Sequence, residues 1–286
     1  MTKLTKLTDT YTLSNGVQVP IVGFGTWQTP DGDVAEASVK AALDAGYRHI
    51  DTATVYGNEV GVGKGLKASG VAREDIFLTT KLWNTDRGYD QTLAAMDKSL
   101  ASLGVDYVDL YLIHWPNPAA YRDHWQEMNA ETWRAMEAIL KAGKARAIGV
   151  SNFRQHHLEA LFKTAEIKPM VNQIFLNPSD RQAELTAYNT AHGMLNEGYS
   201  PLGTGKMFGV EALQQLAERY HKSVAQVVLR WSLQHGFVPL PKSVHSERIQ
   251  QNADLFDFEL SPEDMAVIDG LHGVAGLAKD PDTREF

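Results

Sequence analysis

Four side chains that could act together on a carbonyl group lie at or just past the ends of short apolar runs. Asp51, Lys81 and His114 each close such a run, and Tyr56 follows shortly after the first of them. A parallel α/β barrel assembles its chemistry at the carboxyl ends of its strands, so the pattern predicts that these side chains meet. A cation beside a phenol lowers the pKa of the phenol, which can then protonate a carbonyl oxygen. The residue types therefore predict reductase chemistry.

Each of the four residues has a predicted role. Tyr56 is the candidate general acid, and Lys81 supplies the charge that lowers its pKa. Asp51 holds Lys81 and keeps it ionised, and His114 donates a hydrogen bond to the substrate carbonyl oxygen. Taken singly, each residue also fits a structural role: a half-buried tyrosine, a lysine at a strand end, a structural ion pair and a core histidine. The functional interpretation depends on the four occurring together.

The elements that must position these residues alternate along the chain. Residues 10–13 and 17–19 flank Asn15-Gly16, which predicts a β-hairpin. Eight strand candidates follow, at 20–24, 47–51, 76–81, 108–114, 145–150, 170–173, 194–199 and 237–241. Helix candidates fall between them at 33–45, 58–68, 88–103, 129–142, 154–165, 179–192 and 223–235. Strict alternation of this kind predicts an α/β fold, a (β/α)8 TIM barrel with parallel strands.

A doubly wound open sheet is the competing architecture. Such a sheet normally carries Gly-x-Gly-x-x-Gly after its first strand, and Gly23-Phe24-Gly25 lacks the third glycine. We expect residues 1–286 to form a single barrel domain, since barrels reach this length as one domain.

Bulk composition limits the class of protein. The net charge of −8 argues against nonspecific nucleic-acid binding, and no apolar run is long enough to span a bilayer. The absence of cysteine and of a signal-peptide pattern predicts a cytoplasmic bacterial enzyme. We expect no metal site, because the adjacent His156 and His157 should point to different faces of a helix. A nicotinamide cofactor is then the simplest hydride donor.

The motifs around these residues resemble those of the aldo-keto reductases, over about Leu13 to Gly270. The first runs from Gly46 to Ala53 and continues through Tyr56 and Asn58-Glu59. Others follow in the family order at Thr80–Trp83, Ile113–Pro116, Ile148–Phe153, Val171–Gln173, Tyr199–Gly203 and Leu240–Ser243. The chain is most similar to the short bacterial members typified by 2,5-diketo-gluconate reductases. The resemblance implies that the hairpin closes the bottom of the barrel.

The resemblance also implies a binding site for NADPH. Ser151, Asn152 and Gln173 would bind the carboxamide of the nicotinamide, and Tyr199 would stack on its ring. Lys242, Ser243, Arg248 and Asn252 would form the pocket for the adenosine phosphate. Ser200, Leu202 and Val244 complete the predicted cofactor residues. The chain departs from the family pattern at Gln251, where glutamate is common, and at Phe175 and Asn177.

The predicted substrate pocket is aromatic. By the same resemblance Trp27, Trp83 and Trp115 border it, beside Trp125 in a long connection over residues 117–129. The tail after His272 either covers the mouth of the site or frays.

These residues predict a monomer that reduces aldehydes or ketones, including dicarbonyls, with NADPH. One alternative is an NADPH-binding redox sensor with negligible turnover. Another is an isomerase or lyase that forms a Schiff base at Lys81.

Overall fold

The computed structural model describes residues 4–286, and its chain enters the fold through a hairpin. Strands β1 (Thr10–Thr12) and β2 (Gln18–Pro20) pair antiparallel. Leu13 and Val19 are buried against Phe77, Ala147 and Met170, which lie near the amino ends of barrel strands. Burial of this apolar face closes the bottom of the barrel, as the resemblance implied.

Eight parallel strands form the barrel, in sequence order around the sheet. They are β3 (Phe24–Gly25), β4 (His49–Asp51), β5 (Phe77–Leu82), β6 (Val108–Ile113), β7 (Ala145–Ser151), β8 (Val171–Phe175), β9 (Leu195–Tyr199) and β10 (Val238–Leu240). The backbone N–H groups of Gly23 and Gly25 donate to the carbonyls of Pro239 and Pro241 at 3.0 and 2.9 Å. These bonds join the first strand to the last, and the predicted (β/α)8 barrel is confirmed.

Helices surround the barrel, and their apolar faces bury against it. They are α1 (Asp33–Asp44), α2 (Glu59–Ser69), α3 (Tyr89–Leu103), α4 (Trp125–Lys141), α5 (Gln155–Phe162), α6 (Ala183–Ala191), α7 (Glu211–Tyr220), α8 (Val224–Gln234), α9 (Ser246–Ala253) and α10 (Pro262–Asp269). Seven of them match the predicted helices within a few residues. The sequence analysis did not identify α7, α9 and α10.

Two predicted boundaries were wrong. The first barrel strand was expected at 20–24, but β3 covers Phe24–Gly25 because Pro20 ends the hairpin strand β2. The connection over 117–129 is shorter than expected, because Ala119–His124 forms a 3₁₀ turn and Trp125 begins α4. Trp125 is therefore a helix residue and does not lie in a loop.

Glycines in α2 explain how closely it packs on α1. A Cβ atom at Gly61 would lie 2.8 Å from the Cβ of Ala35, and one at Gly65 would lie 2.7 Å from the Cβ of Val39. Both distances are shorter than real contacts between side chains. These glycines therefore allow the close packing of α2 on α1.

Candidate active site

The four predicted catalytic residues come together at the carboxyl ends of three neighbouring strands. Asp51 is the last residue of β4, Lys81 lies near the end of β5, and His114 directly follows β6. Tyr56 ends a 3₁₀ turn, Thr54–Tyr56, in the connection after β4. Parallel strands end at one rim of a barrel, and the predicted meeting of these side chains follows from that geometry.

Lys81 is the fixed centre of the group. Its side chain is fully buried, and its Nζ donates to Asp51 Oδ1 at 2.6 Å and to the carbonyl of Thr52 at 2.8 Å. The Tyr56 hydroxyl accepts from the same Nζ at 3.4 Å. Burial is the largest single influence and opposes the charged form, but the charges of Asp51 and Tyr56 and the hydrogen bonds to them together outweigh it and raise the pKa of Lys81. Lys81 is therefore a cation at neutral pH, in the state that the sequence analysis assigned to it.

The pKa of Tyr56 moves in the opposite direction to the one expected. Burial raises the pKa of this phenol above its ordinary value, and the charge of Lys81 offsets part of that rise. The lower pKa was expected from the charge of Lys81 alone, without the effect of burial. In the protein Tyr56 therefore holds its proton at neutral pH, beside a cation that stabilises the phenolate formed when the proton leaves.

The imidazole ring of His114 lies next to the Tyr56 ring and lines the same cavity. Its ring lies 5.9 Å from the Tyr56 ring and 5.2 Å from that of Trp83, both in edge-on contacts. Burial, with the positive charge of Lys81, places the pKa of His114 well below its ordinary value. Its Nδ1 is buried without a hydrogen-bond partner in the described part of the chain. The ring is thus a neutral imidazole at neutral pH, with one N–H to donate.

A second carboxyl group behind the site was not predicted. Gln173 Nε2 donates to Asp51 Oδ2 at 2.8 Å and to Glu197 Oε2 at 3.0 Å. Burial raises the pKa of Glu197 to about 8, with the nearby charge of Asp51 adding to the rise. The available signal was a charged residue inside the buried strand β9. With both amide hydrogens of Gln173 used, its Oε1 is the atom left for a ligand.

The predicted carboxamide-binding residues form a connected network. Asn152 Nδ2 donates to the carbonyl of His114 at 3.0 Å, and its Oδ1 accepts from the Tyr199 hydroxyl at 2.8 Å. Asn152 adopts a positive φ of 62°, which asparagine tolerates better than most residues. Ser151, the last residue of β7, is buried, and its Oγ donates to the carbonyl of Gln173. The network fixes the Tyr199 ring against the site.

A cavity of about 1210 Å³ opens at this rim, and we call it the mouth cavity. Most predicted site residues lie in its wall: Trp27, Asp51, Tyr56, Trp83, His114, Trp115, Asn152, Gln173, Tyr199, Ser200, Leu202, Lys242, Ser243, Arg248 and Asn252. The structure does not place Lys81, Ser151, Trp125 or Val244 in this wall. Lys81 acts from behind Asp51 and Tyr56. Trp125 packs on His156 and His157, and Val244 is an exposed side chain.

One end of the mouth cavity has the chemistry of a phosphate pocket. Lys242, Ser243 and Arg248 lie together there, with Gln251 and Asn252 in the same wall. Lys242 Nζ donates to the carbonyl of Gln28 at 3.2 Å. The guanidinium of Arg248 is exposed and makes no ion pair within residues 4–286. Cations with free donors suit a nucleotide phosphate, and Tyr56 lies in the wall of the same cavity.

The tail covers the other end of the mouth cavity. The Phe286 ring lies 5.6 Å from the Trp83 ring and 5.0 Å from that of Trp115. The backbone N–H of Ala119 donates to the carbonyl of Phe286 at 3.1 Å, and Asn117 Nδ2 donates to Asp282 Oδ1 at 2.8 Å. Of the two predicted conformations, the structure shows the one in which the tail lies at the mouth.

His156 and His157 both contact the tail. Their side chains were expected to point to different faces of the helix, but they converge on one residue, Asp282. His156 Nε2 lies 3.1 Å from Asp282 Oδ2, and His157 Nε2 lies 2.9 Å from Asp282 Oδ1. Potential ligand atoms of the three residues lie within 4.8 Å of one another, the spacing of a metal site. However, His157 Nδ1 accepts the N–H of Arg154 at 3.1 Å, so Nε2 carries the ring hydrogen. In this arrangement the cluster is a hydrogen-bonded contact of the tail.

The fold and the site define a TIM-barrel oxidoreductase with a tyrosine, a lysine, a histidine and an aspartate at its rim. Comparisons with known proteins identify the family. Residues 21–272 match the aldo/keto reductase family, and the chain belongs to that family. The expectations of this family and of an oxidoreductase enzyme are confirmed.

Individual relatives are similar to this protein over almost the whole length of its chain. It is 54% identical to the glyoxal reductase of Bacillus subtilis (strain 168), covering 99% of each chain. The crystal structure of an aldo/keto reductase from Brucella melitensis is similar with a TM-score of 0.87 at 47% identity, over 92% of this chain and 99% of that one. A mutant of Gox0644 in complex with NADPH is similar with a TM-score of 0.89 at 39% identity, over 98% of this chain and 99% of that one.

No helix among residues 4–286 is both long and apolar enough to span a membrane.

Proposed function

We propose that this protein reduces aldehydes and ketones, including dicarbonyls, to alcohols with NADPH, and that Tyr56 is the general acid. The observation that carries the proposal is the 3.4 Å contact between Lys81 Nζ and the Tyr56 hydroxyl, with Lys81 paired to Asp51 at 2.6 Å. A protonated phenol beside a fixed cation is suited to give up its proton when negative charge develops on a carbonyl oxygen.

Each of the four residues has a part in the proposed reaction. His114, as a neutral imidazole, donates a hydrogen bond to the substrate carbonyl oxygen and orients it toward Tyr56. Tyr56 then transfers its proton to that oxygen, and Lys81 stabilises the phenolate that remains. Asp51 keeps Lys81 ionised and in place. The tryptophans and Phe286 exclude water from the reacting carbonyl, which strengthens these electrostatic contacts.

NADPH, when bound, supplies the hydride. We propose that Lys242 and Arg248 hold its 2′-phosphate, and that Asn152 and Gln173 hold its carboxamide, Gln173 through Oε1. The volume of the mouth cavity, about 1210 Å³, and the cations in its wall fit such a group. Support also comes from the structural neighbour solved with NADPH. The glyoxal reductase relative supports dicarbonyls within the substrate range, because glyoxal is a dicarbonyl.

The structure argues against Lys81 as a Schiff-base nucleophile. An amine attacks a carbonyl only when it is deprotonated, and the pKa of Lys81 is raised. Its side chain is also fully buried behind Asp51 and Tyr56.

The test of the proposal is Tyr56→Phe, assayed by oxidation of NADPH with a reactive dicarbonyl. We expect kcat to fall by about 10²–10⁴-fold, since only the proton donor is removed. NADPH affinity, measured by quenching of tryptophan fluorescence, should change little. A variant that keeps its full kcat while hydride transfer limits the rate would contradict the assignment of Tyr56. Negligible turnover by the wild-type protein, with tight NADPH binding, would favour the redox-sensor alternative.

A further inference from the structure

The wall of the mouth cavity has an excess of positively charged residues, although the whole chain has a negative net charge. The chain has a net charge of −8, but the cavity wall has five cationic residues and a single acidic one, Asp51. The Asp51 carboxylate already accepts hydrogen bonds from Lys81 and Gln173. The cations are Lys206, Lys242, Lys279, Arg248 and Arg284. Such a wall attracts anions, and the proposed phosphate pocket uses only the cations at one end.

Arg284 is the cation beside the proposed substrate site. Its Cζ lies 4.4 Å from the centre of the Phe286 ring and 5.7 Å from that of the Trp115 ring. The Phe286 ring contacts the Trp83 ring, which in turn lies 5.2 Å from the His114 ring, so aromatic side chains connect the guanidinium to the catalytic histidine. Burial raises the pKa of Tyr199, and the positive charge of Arg284 opposes that rise. Arg284 therefore acts electrostatically on the interior of the mouth cavity.

The guanidinium of Arg284 makes no ion pair with any carboxylate within residues 4–286. Its Nε is buried and has no hydrogen-bond partner there. Some other arginines are paired with carboxylates, as in Arg73 with Asp109 at 2.8 Å and Arg181 with Asp269 at 2.6 Å. A buried donor without a partner costs free energy, and a bound acceptor removes that cost.

Two aspartates of the tail are held by other groups, and Glu285, which adjoins Arg284 in the sequence, is exposed and makes no ion pair within residues 4–286. Asp280 pairs with Arg154 at 3.3 Å, and Asp282 accepts from Asn117 and contacts the two histidines of α5. The tail is therefore fixed by its aspartates, while its arginine is left for a ligand. A guanidinium offers two parallel N–H donors that match the two oxygens of a carboxylate.

We propose that Arg284 binds a carboxylate of the substrate, so that the preferred carbonyl compounds carry a carboxylate separated from the carbonyl by an apolar or aromatic spacer. The three aromatic rings between His114 and Arg284 provide the surface for that spacer. This inference rests on the proposed function, because it names the substrate class of the same site. It assigns a specificity-determining role to a tail residue that contacts none of the four catalytic side chains.

Two matched aldehydes test the inference: 4-carboxybenzaldehyde, which is anionic, and methyl 4-formylbenzoate, its uncharged ester. Arg284→Met keeps an unbranched apolar side chain against Trp115 and Phe286 and removes the charge. We expect kcat/KM for the acid to fall by about 10–100-fold, since a hydrogen bond to a charged group contributes about 1.5–3 kcal/mol. The value for the ester should stay within about 2-fold, and Arg284→Lys should recover part of the loss.

Lys279→Met is the matched control, because it removes one positive charge from an exposed position in the same wall. It should change the acid-to-ester ratio by less than about 3-fold, as expected for a screened surface charge. Equal losses for acid and ester in Arg284→Met, or an equal shift in the ratio for Lys279→Met, would overturn the role of Arg284. Failure of the wild-type protein to oxidise NADPH with the ester or with any uncharged aldehyde would instead overturn the proposed function.

Discussion

The buried pair of Lys81 and Asp51 can be separated into its structural and catalytic parts by a double-mutant cycle. Lys81→Met keeps an unbranched side chain and leaves Asp51 Oδ1 without the partner it has at 2.6 Å. Asp51 Oδ2 still accepts from Gln173 at 2.8 Å in that variant. Asp51→Asn keeps an acceptor for Lys81 but removes the opposite charge. The double variant removes both charges and leaves a neutral barrel interior.

The geometry sets the expected free energies of unfolding. At an effective dielectric constant of about 20, two unit charges 2.6 Å apart attract by about 6 kcal/mol. Moving each charge out of water costs several kcal/mol, so the intact pair contributes little net stability. Removing one partner leaves an uncompensated buried charge, and each single variant should lose about 3–5 kcal/mol. The double variant should lose less than either, so the coupling free energy should be at least about 3 kcal/mol.

Urea unfolding at neutral pH measures the stability side of the cycle, and NADPH oxidation with a reactive dicarbonyl measures the catalytic side. We expect the double variant to recover most of the stability lost by the single variants but almost none of the rate, because Tyr56 still lacks its cation. Additive stability losses, within about 0.5 kcal/mol, would show that the pair is not coupled. A stable double variant with wild-type kcat would refute the role of Lys81.

Two further predictions concern the cofactor end and the interior of the barrel. Arg248→Ala should weaken NADPH binding by about 10–100-fold and leave NADH binding nearly unchanged, as measured by fluorescence titration with both cofactors; equal losses would place the phosphate elsewhere. The pKa of Glu197 is raised from 4.5 to about 8, so the stability that its neutral form contributes is fully present below pH 4.5 and is lost as pH rises through 8. Wild-type stability should therefore fall by about 2 kcal/mol between pH about 6 and about 8, and Glu197→Gln should flatten that slope in urea unfolding. A parallel slope in both proteins would mean that Glu197 does not titrate there.

The barrel was predictable because its strands are buried on both faces. Such strands tend to appear in the sequence as mainly apolar runs, as in β6, where Asp109 is the one charged residue, and the alternation with amphipathic helices determines the topology. The first strand was misplaced because Pro20 belongs to the hairpin, and its apolar neighbours continue directly into β3. Local composition does not distinguish a strand from the buried connection that precedes it.

The meeting of Asp51, Tyr56, Lys81 and His114 could be predicted because each lies at a strand end or in the short turn after it. Residues whose direction depends on helical phase or on a loop could not be placed in this way. Trp125 was expected in the substrate pocket but packs on His156 and His157 at the start of α4. The converging histidine rings were also not foreseen, because their contact depends on Asp282, which lies far along the chain in the tail.

Burial gives the site its protonation states, and this is the step that sequence alone could not supply. The environment that disfavours charge raises the pKa of Tyr56 and lowers that of His114, so both groups are neutral hydrogen donors at neutral pH. Lys81 escapes the same effect because Asp51 lies 2.6 Å away. The charge of Lys81 is thus the one fixed positive charge beside two neutral hydrogen donors, Tyr56 and His114. Its attraction to the site is strongest when the carbonyl oxygen and the phenol acquire negative charge. Because that charge is present before the substrate arrives, stabilising the developing anion requires little reorganisation of the site.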